Sequence, residues 1–439
     1  TTGGAPVVKK CIIRSGGVGV PGVNVYDGGL GLYDSNDSKD NGGHGFCVSG
    51  QGSAPVMSGN VSEGNGGDGF CVSDQAKGVF TANTSKGNTG AGMRSKEAGD
   101  PHFVANVTTD GLGDGIASSG GGKGLFENNT CASNAGAGVR LQGVGTAPVI
   151  KAGRCFANAN GGVFADDSAG GTLSDVEVYD NEVGGCVTER QGNPTLEGCT
   201  LYNNRGPGLW CREGGDGVLE RNMVRDNAEW QVRCCSMSNP MLRSNSITLT
   251  DGGGAANAGG LLVDDDGGCL AVENAFTGFA LRPAVLTQTK GAPRLELNTV
   301  TGCGLEASPG DRGGGSGAIV CSEGGAGVFD GNRVSDCAGC GIEVSTNATP
   351  TFSNNDVGGC GGHGLHVHDG GLGSFDGNEF ASNKRDGAMI STSANPSLTE
   401  NTFQSNGESG VNVVDGGLGS IVSNDISENV VAGVSVETG

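Results

Sequence analysis

Apolar residues recur along this chain in short alternating steps. Gly162-Val163-Phe164-Ala165, Gly208-Leu209-Trp210-Cys211 and Gly410-Val411-Asn412-Val413 each place apolar or small residues one and three after a Gly, and the residue between them varies freely. A period of two marks a strand with one face turned inward. A second apolar column follows at Phe80, Phe103, Phe126, Leu173 and Leu196, then at Phe329, Phe352, Phe375 and Leu398. A third lies two residues after a mid-unit position that is mostly Asn, at Val178, Leu201, Val334, Val357, Phe380 and Phe403. The helical apolar period is absent, so the pattern predicts three short strands per unit, each sending one row inward.

The Gly marks fall at Gly22, Gly45, Gly69, Gly92, Gly115, Gly138, Gly162, Gly185 and Gly208, with Gln231 next. They resume at Gly260, Gly278, Gly317, Gly341, Gly364, Gly387, Gly410 and Gly433, and most steps are 23 or 24 residues. That is too short for a helix pair. Stacking one coil on the next pairs each backbone amide with its neighbour and builds long parallel sheets. Two Asn columns mark the corners. One runs through Asn36, Asn60, Asn83, Asn106 and Asn129, and again from Asn332 to Asn424. The other lies five residues on, through Asn41, Asn65, Asn88, Asn158, Asn181 and Asn406. Asn tolerates left-handed backbone angles, satisfies turn amides with its side chain, and bonds to its own kind when stacked. Cys199 takes an Asn place in the first column, and Cys303, Cys337 and Cys360 do so in the second. The turn before the second strand alternates between a Pro and a Gly type, as in Asn193-Pro194, Gly214–Gly217 and Asn239-Pro240, so the larger unit is a pair of coils.

Composition changes this picture little. The chain has 439 residues, of which 88 are Gly, and 5% are aromatic. A net charge of −22 disfavours a nucleic-acid backbone as partner. The apolar runs are too short for a membrane-inserting helix. The opening TTGGAPVVKKCII carries neither an initiating Met nor a signal-peptide pattern, so a fragment or processed form is expected and the compartment stays open. The 16 Cys fall mostly at repeat positions and read as buried, reduced side chains. Cys47 and Cys71 take matching outward positions, a spacing compatible with a disulfide, whereas Cys131 with Cys155 and Cys211 with Cys234 should stack inward. The sequons at Asn60, Asn83 and Asn106 lie in a corner column and should be inaccessible.

The segments GIEVSTNATPTFSNNDV and GGLGSFDGNEF resemble the right-handed parallel β-helix superfamily, and above all the central β-helix of F-box proteins with carbohydrate-binding/sugar-hydrolase-type repeats. The likeness covers nearly the whole chain. It implies an all-β fold: a single-stranded right-handed parallel β-helix over 1–439, a three-sheet solenoid of about 18 coils, interrupted by irregular loops across 250–316. At roughly 4.8 Å per coil, such a rod is on the order of 85 Å long. In that family the β-helix resembles a substrate-recruiting platform. No F-box-like helical segment and no zinc region accompany it here, nor do the Asp and Arg/Lys signatures of polysaccharide lyases, pectin hydrolases or alginate epimerases.

Candidate chemistry sits on the outward rows of the first strand, which escape the packing constraint. Arg140, Phe164, Trp210 and Arg233 form one row; Asp166, Glu189 and Arg212 lie two residues on. Exposed Trp210 beside Arg212, Arg233 and Glu189 suits a sugar-binding strip. Asp166 and Glu189, one coil apart, are the candidate catalytic pair, at the roughly 5 Å of a retaining glycosidase. The plainer reading is charge pairing on a solvated sheet. The rhythm breaks at 250–259, 282–291 and 303–316, which makes the Asp311-Arg312 loop the other edge of the expected site. His366 and His368 point outward on one strand with Glu343 beside them, a possible zinc or copper set set against exposed His. Asp264-Asp265-Asp266 reads as a solvated turn before a Ca²⁺ site. No cofactor is called for. The leading function is a non-catalytic recognition or scaffold segment that binds a protein or glycan along the first sheet. The alternatives are a carbohydrate-active enzyme on an acidic polysaccharide and a purely structural rod. Neither end reads as a cap, so contacts with further domains or subunits are expected there.

Overall fold

The computed structural model describes residues 3–250, 257–306, 308 and 312–437. Among the described residues every regular element is a strand, and the strands pair in parallel. The chain divides into two compact units, residues 1–210 with 214–218, and residues 211–213 with 219–439. Each unit repeats a three-strand coil. Met93–Lys96, His102–Val104 and Val107–Thr109 form one in the first unit; Leu365–Val367, Ser374–Asp376 and Glu379–Ala381 form one in the second.

Period and register agree throughout the interior. Phe103 pairs with Phe80 and Phe126, and Phe352 with Phe329 and Phe375. Their rings stack at 4.4 and 5.2 Å in the first unit, and at 4.3 and 5.4 Å in the second. All six are fully buried. The Gly mark has a steric cause. A Cβ at Gly162 would stand 2.1 Å from Val178 Cγ1, and one at Gly341 would stand 2.4 Å from Val357 Cγ1. The first strand therefore starts where it crosses the inward side chain of the third.

Two marks read from the sequence are corrected. Val285 and Ile319 take the register of Leu261 and Ile342, so the marks are Ala284 and Ala318, not Gly278 and Gly317. The stretch 282–291 is thus an ordinary first strand and turn. The irregular lengths that remain are 250–259, largely outside the described residues, and 303–316.

Within each unit the corner columns form runs of amide ladder, from Asn36 to Asn129 in the first unit and from Asn245 to Asn424 in the second. Asn355 Nδ2 and the Asn355 amide both donate to Asn378 Oδ1, at 2.8 and 2.9 Å, and Asn378 Nδ2 also donates to the Phe352 carbonyl at 3.0 Å. Asn274, unmarked in the sequence reading, joins the first ladder between Asn245 and Asn298. The left-handed angle does not fall on the ladder Asn. It falls on the residue before: Ser35, Ala82, Ala105 and Asn354 have φ of 55, 52, 54 and 56° ahead of Asn36, Asn83, Asn106 and Asn355. The Asn of the following coil braces that corner from both sides: Asn60 Nδ2 donates to the Tyr33 carbonyl and Asn60 Oδ1 accepts from the Asn36 amide, either side of Ser35. Where Gly153 and Val176 replace Asn, the corner opens into the eight-residue strands Val149–Phe156 and Thr172–Tyr179.

The Pro/Gly alternation is also steric. Gly124 (φ 116°) lies over Pro101 and Gly373 (φ 117°) over Pro350; a Cβ would stand 2.7 and 3.0 Å from the Pro carbonyl oxygens. All sixteen cysteines are free thiols. Cys131 and Cys155 pair in register inside, and Cys211 and Cys234 are buried, as the inward reading expects. Neighbouring thiols and burial push Cys155 and Cys234 up, and burial pushes Cys321 up to about 12. Cys47 and Cys71 do pair on the outer face, but Cys71 is buried there and no disulfide joins them. Asn60, Asn83 and Asn106 are buried, as the ladder requires.

Candidate functional site

The outward face of the first sheet is not the solvated surface that alternation alone suggests. In the first unit Arg140, Phe164 and Val187 follow one another in register. Phe164 is 5% exposed and Val187 fully buried, both from the outside. They form a cluster with Ala137, against which half-buried Val183 and Trp210 pack. The turns close over it: a Cβ at Gly184 would stand 3.6 Å from Val187 Cγ2. Arg140 lies 4.5 Å above the Phe164 ring, a cation–π contact.

Asp166 and Glu189 correct the same expectation. Both are buried. Asp166 Oδ2 accepts from Arg140 Nη2 at 2.6 Å and Arg190 Nη2 at 2.7 Å. Arg190 also pairs with Glu189 through Nη1, and with Asp167 through Nε at 3.0 Å. The two carboxylates are therefore clamped by one guanidinium that the sequence reading did not select. Asp166 Oδ1 has no partner among the described residues. Burial pushes the Asp166 carboxyl up, against the pull of Arg140 and Arg190.

The remaining residues of the expected strip lie in the second unit. Arg212 is half-buried, and Arg233 Nη2 pairs with Asp264 Oδ2 at 3.0 Å. Asp264 is thereby taken, while Asp265 and Asp266 carry the left-handed angles of a turn (φ 50 and 58°). Asp311 lies outside the described residues. The Arg312 carbonyl accepts from Arg385 Nη1 at 3.1 Å and from His363 Nε2 at 2.9 Å. Arg312 thus sits over the His363 coil.

The histidines correct their reading in turn. His366 pairs in register with Glu343 as expected, but it is 7% exposed and its Nε2 has no partner among the described residues. Burial holds it down at about 3. His368 stacks on it at 4.4 Å and bonds to Glu343 Oε1 at 3.2 Å and Asp369 Oδ2 at 3.0 Å. Burial opposes protonation of His368, but these carboxylates raise it. His366, His368 and Glu343 do not gather three donors around one point. Among the described residues two other groups do: His44 with Asp68 and Cys71, and His363 with Asp386 and Glu408. His363 stands just before the Gly364 mark. It is 1% exposed, at the edge of a cavity of about 230 Å³ that Arg312, Arg385, Asp386, Glu408 and Asn412 also line.

The chain belongs to the right-handed β-helix family. The family described as "Right handed beta helix region" matches residues 1–146, 103–276, 235–374 and 346–439. No curated protein matches the chain. Among solved structures, it is similar to a hyper-glycosylated TibA fragment (12% identity, TM-score 0.26, covering 99% of this chain and 100% of that one). It is similar to a mutant of the PL6 family alginate lyase AlyGC (11%, TM-score 0.30, 100% and 98%). It is also similar to the A-module of a mannuronan C-5 epimerase from Azotobacter vinelandii (13%, TM-score 0.21, 96% and 89%).

Proposed function

We propose that the protein is a non-catalytic recognition scaffold that takes a protein or glycan partner along the outward face of the first sheet in its first unit. One observation carries this reading: the apolar platform of Phe164, Val187, Val183 and Trp210, bordered by Arg140, Asp166, Arg190 and Glu189. A ring held against a packed apolar floor is an anchor of low entropy cost, and fixed guanidinium groups beside it offer directed donors. Clamping speaks against catalysis. A glycosidase needs one carboxyl free to give a proton and another free to attack or to activate water, and Arg190 engages both candidates. The likeness of the repeat to F-box β-helix proteins supports a recruiting platform. A glycan array with wild type and Trp210→Ala tests the reading: a bound glycan class should lose about tenfold or more in affinity in the variant. Binding to no glycan favours a protein partner or a purely structural role. Product released from pectin or alginate by wild type, and lost in Asp166→Asn, overturns the proposal in favour of an enzyme.

A further inference from the structure

We propose that His363, Asp386 and Glu408 form a binding site for a divalent transition-metal ion in the second unit. Their ligand atoms lie within 4.8 Å of one another. His363 and Asp386 are each 1% exposed, so their geometry is fixed, and Glu408 opens on the cavity of about 230 Å³, which leaves room for water to complete a coordination shell. One imidazole and two carboxylates suit zinc, manganese, iron or cobalt better than soft Cu(I) or an all-oxygen calcium site.

The bonding around His363 points the same way. Its Nε2 lies 2.9 Å from the Arg312 carbonyl, which accepts only from an N–H and so assigns the proton to Nε2. A backbone carbonyl at the far nitrogen is the usual orienting partner of a ligating histidine. The Asp386 amide donates to Nδ1 at 3.2 Å, which marks Nδ1 as the ring's lone-pair nitrogen. Nδ1 also stands 3.2 Å from Asp386 Oδ2, acceptor against acceptor. A cation beside the pair reconciles them.

The first unit contains the same step with that place filled. His44 and Asp68 stand just before Gly45 and Gly69, as His363 and Asp386 stand just before Gly364 and Gly387. The Asp68 amide donates to His44 Nδ1 at 2.9 Å, and Nδ1 is 3.3 Å from Asp68 Oδ2. There Arg94, one coil on, sets its Nε 2.8 Å from Asp68 Oδ2 and supplies the positive charge. The equivalent residue in the second unit is Asn412, whose neutral Nδ2 reaches Asp386 Oδ2 at 3.1 Å, and Glu408 adds a further carboxylate. What a guanidinium does at Asp68, a metal ion does at Asp386.

Co²⁺ is the probe, added to the whole chain and read by its visible bands and by equilibrium dialysis. One ion per chain is expected, with nitrogen/oxygen-type bands and no thiolate charge transfer. Glu408→Gln, at the open side of the cavity, should weaken binding by about tenfold or more. Asn412→Arg leaves every ligand in place and builds the Arg94 arrangement, and should abolish binding. No saturable uptake by folded wild type overturns the proposal. So does uptake that is unchanged in both variants, or that carries thiolate bands.

Discussion

Phe352 and Val187 are both fully buried, one inside a coil and the other outside it, and the comparison separates two ways of making a solenoid. Inside, each residue is covered by its own counterparts one coil away: Phe352 lies between Phe329 and Phe375. The same solution is repeated, so the interior specifies the fold and nothing else. Outside, Val187 is covered by unlike groups, Phe164, Val183 and Trp210. Individual chemistry accumulates on that face: the Arg190 clamp, the buried His366 and the His363–Asp386 pair.

The comparison can be broken by substitutions that act on one side only. Phe352→Ala removes a buried ring from a stacked file and should cost about 3–5 kcal/mol in denaturant unfolding. A loss under 1 kcal/mol would mean the file is loosely packed. Asn378→Ala strips the acceptor from the Asn355 amide and Nδ2, and the donor from the Phe352 carbonyl, and should cost about 3 kcal/mol.

His366→Met, which copies Met389 in the next coil, probes the outer face through pH. The wild-type imidazole stays neutral down to about 3, against 6.5 for the free side chain. The unfolded chain takes up a proton that the folded one refuses, so stability is complete above about 6.5 and falls as the pH drops from there towards 3. Wild type should lose about 2 kcal/mol relative to the variant by pH 5. Parallel pH curves would remove His366 as a buried neutral group. The smallest effect is expected from Cys199→Asn. The Cys199 thiol already donates to the Leu173 carbonyl at 3.5 Å, as a ladder Asn would, so stability should change by less than about 1 kcal/mol.

The same contrast explains what could be read from the sequence. Strand number, the Phe files and the Asn columns were legible, because a periodic chain makes each residue's neighbour its own equivalent about one coil away. Gly278 and Gly317 misled because Gly is abundant enough to fall near a mark by composition alone, while small Ala284 and Ala318 serve the same purpose. The outer face was legible only as a list of residues. Alternation gives direction but not what lies on top, so Phe164, Asp166, Glu189 and His366 read as solvated. His363 was missed because its partner Arg312 is 51 residues away across an insertion, a contact that no period encodes. The pairing of His44 with Asp68 held a usable signal: the same residue types recur at the same place before the Gly marks at His363 and Asp386.

The corner at Pro101 and Gly124 bears on how such a chain changes size. A coil that carries Pro is followed by one whose Gly clears the Pro carbonyl, and the same step recurs at Pro350–Gly373 and Pro396–Gly419. Excising 23 residues sets two corners of the same kind against each other, whereas excising 46 restores the sequence of corners. A library of deletions should therefore yield folded products at even counts of coils in preference to odd ones.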